Sequence, residues 1–103
     1  MIQKTNLEDV ENIMKKLKDS MSILRAKYNV KNLEIFGSYV RGEHKKKSDL
    51  DILVEFNETI DLFKYIELEN YIGEILGVKV DLVMKDTLKP RIKDRILNEA
   101  IPV

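Results

Sequence analysis

A D-x-D pair running straight into an apolar strand constrains this chain more than any other feature. Residues 37–51 read GSYVRGEHKKKSDLD: a glycine–serine turn, ten intervening residues, then Asp49 and Asp51. From there Leu50, Ile52, Val54 and Phe56 alternate with Asp49, Asp51, Leu53 and Glu55, the period of a strand with one polar face. Side chains two apart on a strand share a face. Both aspartates should therefore project from one sheet surface, opposite the apolar row.

The remaining elements follow from period and punctuation. Val10, Ile13, Met14, Leu17, Met21, Leu24 and Tyr28 hold the three-four spacing of an amphipathic helix, with Thr5 and Glu8 ahead of them as a capping box. Leu33 to Phe36 reads as a short strand entered through Asn29 and Asn32. A brief helical segment over Ser38 to Glu43 and a lysine-rich loop over Glu43 to Ser48 follow. Asp61 or Thr59 can cap a second long helix through Leu62, Tyr65, Ile66, Ile72 and Leu76, closed by Gly77. Val78 to Met84 reads as a third strand, with Val78, Val80, Leu82 and Met84 on one face and Lys79, Asp81 and Val83 on the other. Pro90 opens a last helix carrying Ile92, Ile96 and Leu97, with Pro102 beyond its end. The order α-β-α-β-α-β-α predicts an α/β fold with a small mixed sheet packed by helices, in one domain over residues 1–103.

Composition narrows the function. Lys and Arg total 18 and Asp and Glu total 18, so the formal charge is zero. That balance argues against a binder of long nucleic acid, which would usually be basic. Cysteine is absent, which excludes disulfides and thiolate metal sites. The N-terminus lacks the apolar core of a secretory signal, and no apolar run approaches a membrane span, so a cytoplasmic chain with no membrane partner is expected.

Asp49, Asp51 and Asp81 become one constellation if the second and third strands pair. Three carboxylates so placed repel one another, and divalent cations relieve that repulsion. Hard oxygen ligands suit Mg²⁺, and two such ions would clamp the attacking and leaving oxygens of an in-line phosphoryl displacement. The third carboxylate can orient or deprotonate an incoming hydroxyl. Gly37 permits close backbone approach, and the N–H groups after it, with the Ser38 hydroxyl, can meet a triphosphate. Arg41 can neutralise phosphate charge or pin the loop to an acid, while Lys45, Lys46 and Lys47 read mainly as a solvated loop. His44 has no second ligand at metal spacing and is expected at the surface. Tyr39 can meet a base or pack.

The run GSYVRGEHKKKSDLDILV, with Asp81 on a later strand, resembles the minimal nucleotidyltransferases of the DNA polymerase beta-like superfamily. The resemblance spans nearly the whole chain. It implies a polymerase beta-like nucleotidyltransferase core, with Asp49 and Asp51 as metal ligands and Asp81 as third ligand or general base. Gly37 and Ser38 would grip ATP, and Mg²⁺ would be the cofactor. At this length the chain is expected to lack the appended acceptor domain of larger superfamily members. Members of this kind are commonly antitoxins paired with a HEPN-type RNase toxin, and they transfer AMP from ATP to a tyrosine of that toxin. Two other readings stand beside this one: neutralisation of the partner by binding alone, and nucleotidyl transfer to a small molecule of the antibiotic type.

Overall fold

The computed structural model describes residues 6–45 and 47–103. Thr5 and the Glu8 side chain of the expected capping pair, and Lys46 of the loop, lie outside what is described. In chain order the elements are α1 (Asn6–Tyr28), β1 (Val30–Phe36), α2 (Ser38–Arg41), β2 (Leu50–Phe56), α3 (Leu62–Leu76), β3 (Val80–Met84), a 3-10 turn (Lys85–Thr87), α4 (Pro90–Glu99) and β4 (Ile101–Pro102). The sheet runs β3-β2-β1-β4. β1 is antiparallel to both β2 and β4, and β2 is parallel to β3. This is the small mixed α/β fold expected. No helix among the described residues is long and apolar enough to cross a membrane.

The stripe of α1 is buried as its spacing requires, with Leu17 and Leu24 fully enclosed. It packs with Leu68, Ile72 and Leu76 of α3 over the sheet face carrying Leu33, Ile35, Leu50, Ile52, Val54, Val80 and Leu82. Asp61, rather than Thr59, caps α3: its side chain accepts the Lys64 N–H at 2.9 Å. Gly77 ends α3 with φ 68°, a left-handed position that glycine reaches at no steric cost.

Several expectations shift. Leu62 and Ile66 were expected on the buried stripe of α3, yet they are 68% and 46% exposed. The buried row passes through Leu68, Ile72 and Leu76, and at about 100° per residue Leu62 and Ile66 fall on the flank of the helix beside that row. β1 starts at Val30, earlier than expected, since Asn29 at φ 57° turns the chain directly out of α1. β3 begins only at Val80, with Val78 and Lys79 spent on the connection from Gly77. The second face of β2 is not uniformly polar: Leu53 is 1% exposed and packs with Phe36 and Ile96 beneath α4. β4, which pairs Ile101 with Ile35 and Pro102 with Glu34, carries too few residues to show a period and was not foreseen.

β3 is an edge strand, and the outward backbone groups of Leu82 at its centre are occupied by α3. The Leu82 N–H donates to Glu69 at 2.8 Å, and the Tyr65 hydroxyl donates to the Leu82 carbonyl. Tyr65 and Glu69 are four residues apart on one helix face, so a single turn of α3 stands in for a neighbouring strand. Glu69→Ala should cost about 1.5–3 kcal/mol, the scale of a hydrogen bond to a charged group. Tyr65→Phe should cost about 1 kcal/mol. Urea denaturation measures both, and an unchanged midpoint in both variants would count against this capping role.

Candidate active site

The second sheet face presents three zones. Leu53, Phe36 and Val83 lie under α4 in the middle. At one end Lys85 bridges Glu34 and Glu55 at 3.6 and 3.5 Å. At the other end stand Asp51 and Asp81.

Asp51 of β2 pairs in register with Asp81 of β3. Parallel neighbours lie about 4.8 Å apart, so the two carboxylates leave the sheet side by side. Asp49 precedes the first residue of β2. It borders a cleft of about 400 Å³ with Lys47, Ser48 and Lys79, at the ends of the strands. Asp49 is still near enough for its charge to act on Asp51. Burial, then the charges of Asp81 and Asp49, push the Asp51 carboxyl up to about 6. Attraction from Arg41 opposes that rise.

Gly37 crosses directly above Asp51. The β1–β2 ladder ends at Phe36 opposite Asp51, and the next residue turns over the carboxylate. A Cβ at Gly37 would lie 2.1 Å from Asp51 Oδ2. Its backbone, φ 83° and ψ −154°, occupies a region essentially restricted to glycine. Gly37 is also the N-cap of α2, so Ser38 is the first helical residue and its hydroxyl is not spent on capping. α2 is a single turn, so its macrodipole contributes little and the turn's own backbone groups matter more.

Arg41 is held by two acids, with Nε 2.7 Å from Glu43 and Nη1 2.8 Å from Glu99. Of the two roles expected for it, pinning the loop to acids is the one the contacts display. Tyr39 is buried in the core and stacks on His44 with ring centroids 4.0 Å apart. His44 is thus half-buried rather than superficial. Lys45 and Lys47 are exposed, as a solvated loop requires.

Glu99 escaped the sequence reading. Its Oε2 accepts the Gly37 N–H at 2.7 Å while Oε1 holds Arg41. Nothing in a terminal NEAIPV points to residue 37, because the link depends on α4 folding back beside β1.

The donors fit Mg²⁺ in kind, being hard carboxylate oxygens, with Asp51 raised first by burial and then by the charges of Asp81 and Asp49. Among the described residues no three carboxylates stand at a spacing that would enclose a cation by themselves. That suits Mg²⁺, which keeps several waters and is usually bound by one or two carboxylates together with substrate phosphates.

A mixed sheet with a glycine–serine turn laid over in-register aspartates defines the nucleotidyltransferase class of fold. The chain belongs to the nucleotidyltransferase domain family, which matches residues 14–103. It is similar to the protein adenylyltransferase MntA of Thermococcus cleftensis, 47% identical across 94% of this chain and 95% of that one. A candidate protein adenylyltransferase of Methanocaldococcus jannaschii is 49% identical over 94% of this chain and 97% of its own length. Among solved structures, a minimal nucleotidyltransferase superposes with a TM-score of 0.77 at 37% identity, covering 92% of this chain and 96% of that one. A toxin–antitoxin complex with AMP-PNP superposes at 0.65 and 25% identity, over 89% of this chain and 69% of the other.

Two outcomes follow from the geometry. Gly37→Ala should destabilise the chain by about 1–3 kcal/mol from backbone strain alone, and it should displace the Asp51 carboxylate. Thermal melting and the carboxyl resonance of Asp51 report the two effects. Second, a carboxyl raised in the folded state binds its proton more tightly there than in the unfolded chain. Metal-free stability should accordingly be greatest below about pH 4 with respect to this group and fall as pH rises toward 6. Asp51→Asn should flatten that slope and stabilise the metal-free chain at pH 7 by about 1 kcal/mol, after allowance for solvent screening of a half-exposed group. A steeper slope in Asp51→Asn than in wild type would refute the assignment.

Proposed function

We propose that this chain transfers AMP from ATP, with Mg²⁺, to a tyrosine hydroxyl of a HEPN-type toxin and so acts as its antitoxin. The observation that carries the reading is the Gly37 turn laid over Asp51, itself in register with Asp81, in a chain 47% identical to a protein adenylyltransferase.

Asp49 and Asp51, with Asp81 beside them, would hold the metal. Bound there, Mg²⁺ would offset charge on the phosphates and on the leaving pyrophosphate. The Gly37–Ser38 turn receives the triphosphate, its glycine allowing close approach and its serine offering a hydroxyl. Asp81, exposed at the rim, is placed to orient the acceptor hydroxyl and take its proton. The acceptor oxygen bonds to the α-phosphorus as the bond to pyrophosphate breaks. The site lies open on the sheet end, so a protein side chain can enter it from outside.

Neutralisation by binding alone is the second reading, favoured by Leu62, Phe63 and Ile66 on α3, which are 68%, 84% and 46% exposed. One experiment separates the two. The chain is incubated with ATP, Mg²⁺ and the product of the neighbouring reading frame, and the partner's intact mass is measured. Wild type should add AMP. Asp51→Asn should lose at least about a hundredfold in rate, the scale of removing a group that stabilises transition-state charge, while still binding the partner. A wild type that binds and neutralises without adding AMP would sink the enzymatic reading.

A further inference from the structure

Glu99, the last residue of α4, touches two parts of the candidate site at once. Oε2 accepts the backbone N–H of Gly37 at 2.7 Å, and Oε1 accepts from Arg41 Nη1 at 2.8 Å. The Glu99 side chain is 18% exposed against 48% for Arg41, so the acid lies inside and the cation reaches in to it.

On general grounds Glu99 is badly placed. A carboxylate in the last turn of a helix faces the negative end of the dipole, and partial burial adds a second penalty. Charge-assisted bonds outweigh both. Burial alone would raise the Glu99 carboxyl, yet the bonds from Arg41 and the Gly37 N–H hold it below the usual range. A residue that breaks local rules and is compensated by contacts to a site is the pattern expected of a functional position.

The sheet explains what the acid replaces. The β1–β4 ladder pairs Glu34 with Pro102 and Ile35 with Ile101, and it stops before Gly37. The Glu99 carboxylate takes the Gly37 N–H where a continued strand would have supplied a carbonyl. Gly37 holds a sparsely populated backbone conformation, which persists only if its surroundings over-determine it. One side is fixed by the β1–β2 ladder ending at Phe36. Glu99 fixes the other.

We propose that Glu99 is a positioning residue for nucleotide binding: it ties the Gly37–Ser38 turn and Arg41 to α4 so that both stand ready beside Asp51 for a nucleoside triphosphate. This role rests on the reading of that turn as the nucleotide-holding element.

The test uses the whole chain as wild type, Glu99→Ala and Glu99→Gln. AMP-PNP binding with Mg²⁺ is measured by calorimetry, thermal melting is recorded on the same samples, and the Gly37 amide is followed by NMR. Glu99→Ala should weaken AMP-PNP about tenfold, or roughly 1.4 kcal/mol, with the loss confined to folded protein. Its Gly37 amide proton should move upfield as the carboxylate bond disappears. Glu99→Gln keeps an acceptor for Gly37 and should recover most of the affinity. Tighter AMP-PNP binding in both variants would mean that the carboxylate competes with phosphate, and it overturns the proposal. So does a loss of binding that merely tracks the unfolded fraction. A wild type that fails to bind AMP-PNP overturns the reading of the turn and this role with it. A binding wild type beside an equally tight Glu99→Ala overturns this role alone.

Discussion

The close approach of the Gly37 backbone to the Asp51 carboxylate governs the rest of the site. The two residues meet because the β1–β2 ladder ends at Phe36 opposite Asp51, leaving the next residue to turn across the acid. No side chain fits there, since a Cβ would fall 2.1 Å from Asp51 Oδ2. The turn and the acid are thus one constraint rather than two features fourteen residues apart. Strand register sets where the carboxylate stands, and the absence of a side chain lets the backbone reach it.

That arrangement is electrostatically costly, and the fold meets the cost elsewhere. Asp51 is driven up to about 6 by burial and by its acidic neighbours. Such a group favours its neutral form, so ionising it works against folding. The sheet tolerates this because both of its faces are anchored. α1 and α3 cover one face, and Phe36, Leu53 and Ile96 form a smaller apolar cluster on the other. The second cluster sits next to the acids along β2 and fixes the strand at Leu53, two residues from Asp51. A strand free to flex there would let the carboxylates separate and relax. Clamped, they retain a repulsion that bound cations and substrate could relieve.

How legible this was depends on whether the signal was local. The phase of β2 and β3 could be read from alternation, and it correctly set Asp51 and Asp81 opposite the main core. The cap at Asp61 and the stop at Gly77 were visible because their backbone demands are met within a turn. Leu53 was misread as part of a polar face, because only α4 folding over β2 buries it. Leu62 and Ile66 are apolar at helical spacing, but the row that packs on the core runs through Leu68, Ile72 and Leu76 and leaves them on the flank. β4 is too short to carry a period. Glu99 is the clearest case: its partners lie 62 residues away at Gly37 and 58 away at Arg41, and nothing in the local text distinguishes it from any helix-terminal glutamate.

Arg41 shows why such distant contacts matter to the chemistry. A guanidinium next to convergent carboxylates would ordinarily settle on them in a bidentate pair. Arg41 does act on Asp51, since its charge opposes the rise of that carboxyl. Its Nε is held by Glu43 and its Nη1 by Glu99, and those bonds direct the fork toward the loop and α4. The cation therefore contributes field at Asp51 without closing over it. Asp51 remains only partly buried and uncovered by the guanidinium. In a chain with no net charge, the distribution of acids around a single arginine decides whether the sheet end is a neutralised salt bridge or an open anionic rim beside a ready positive charge.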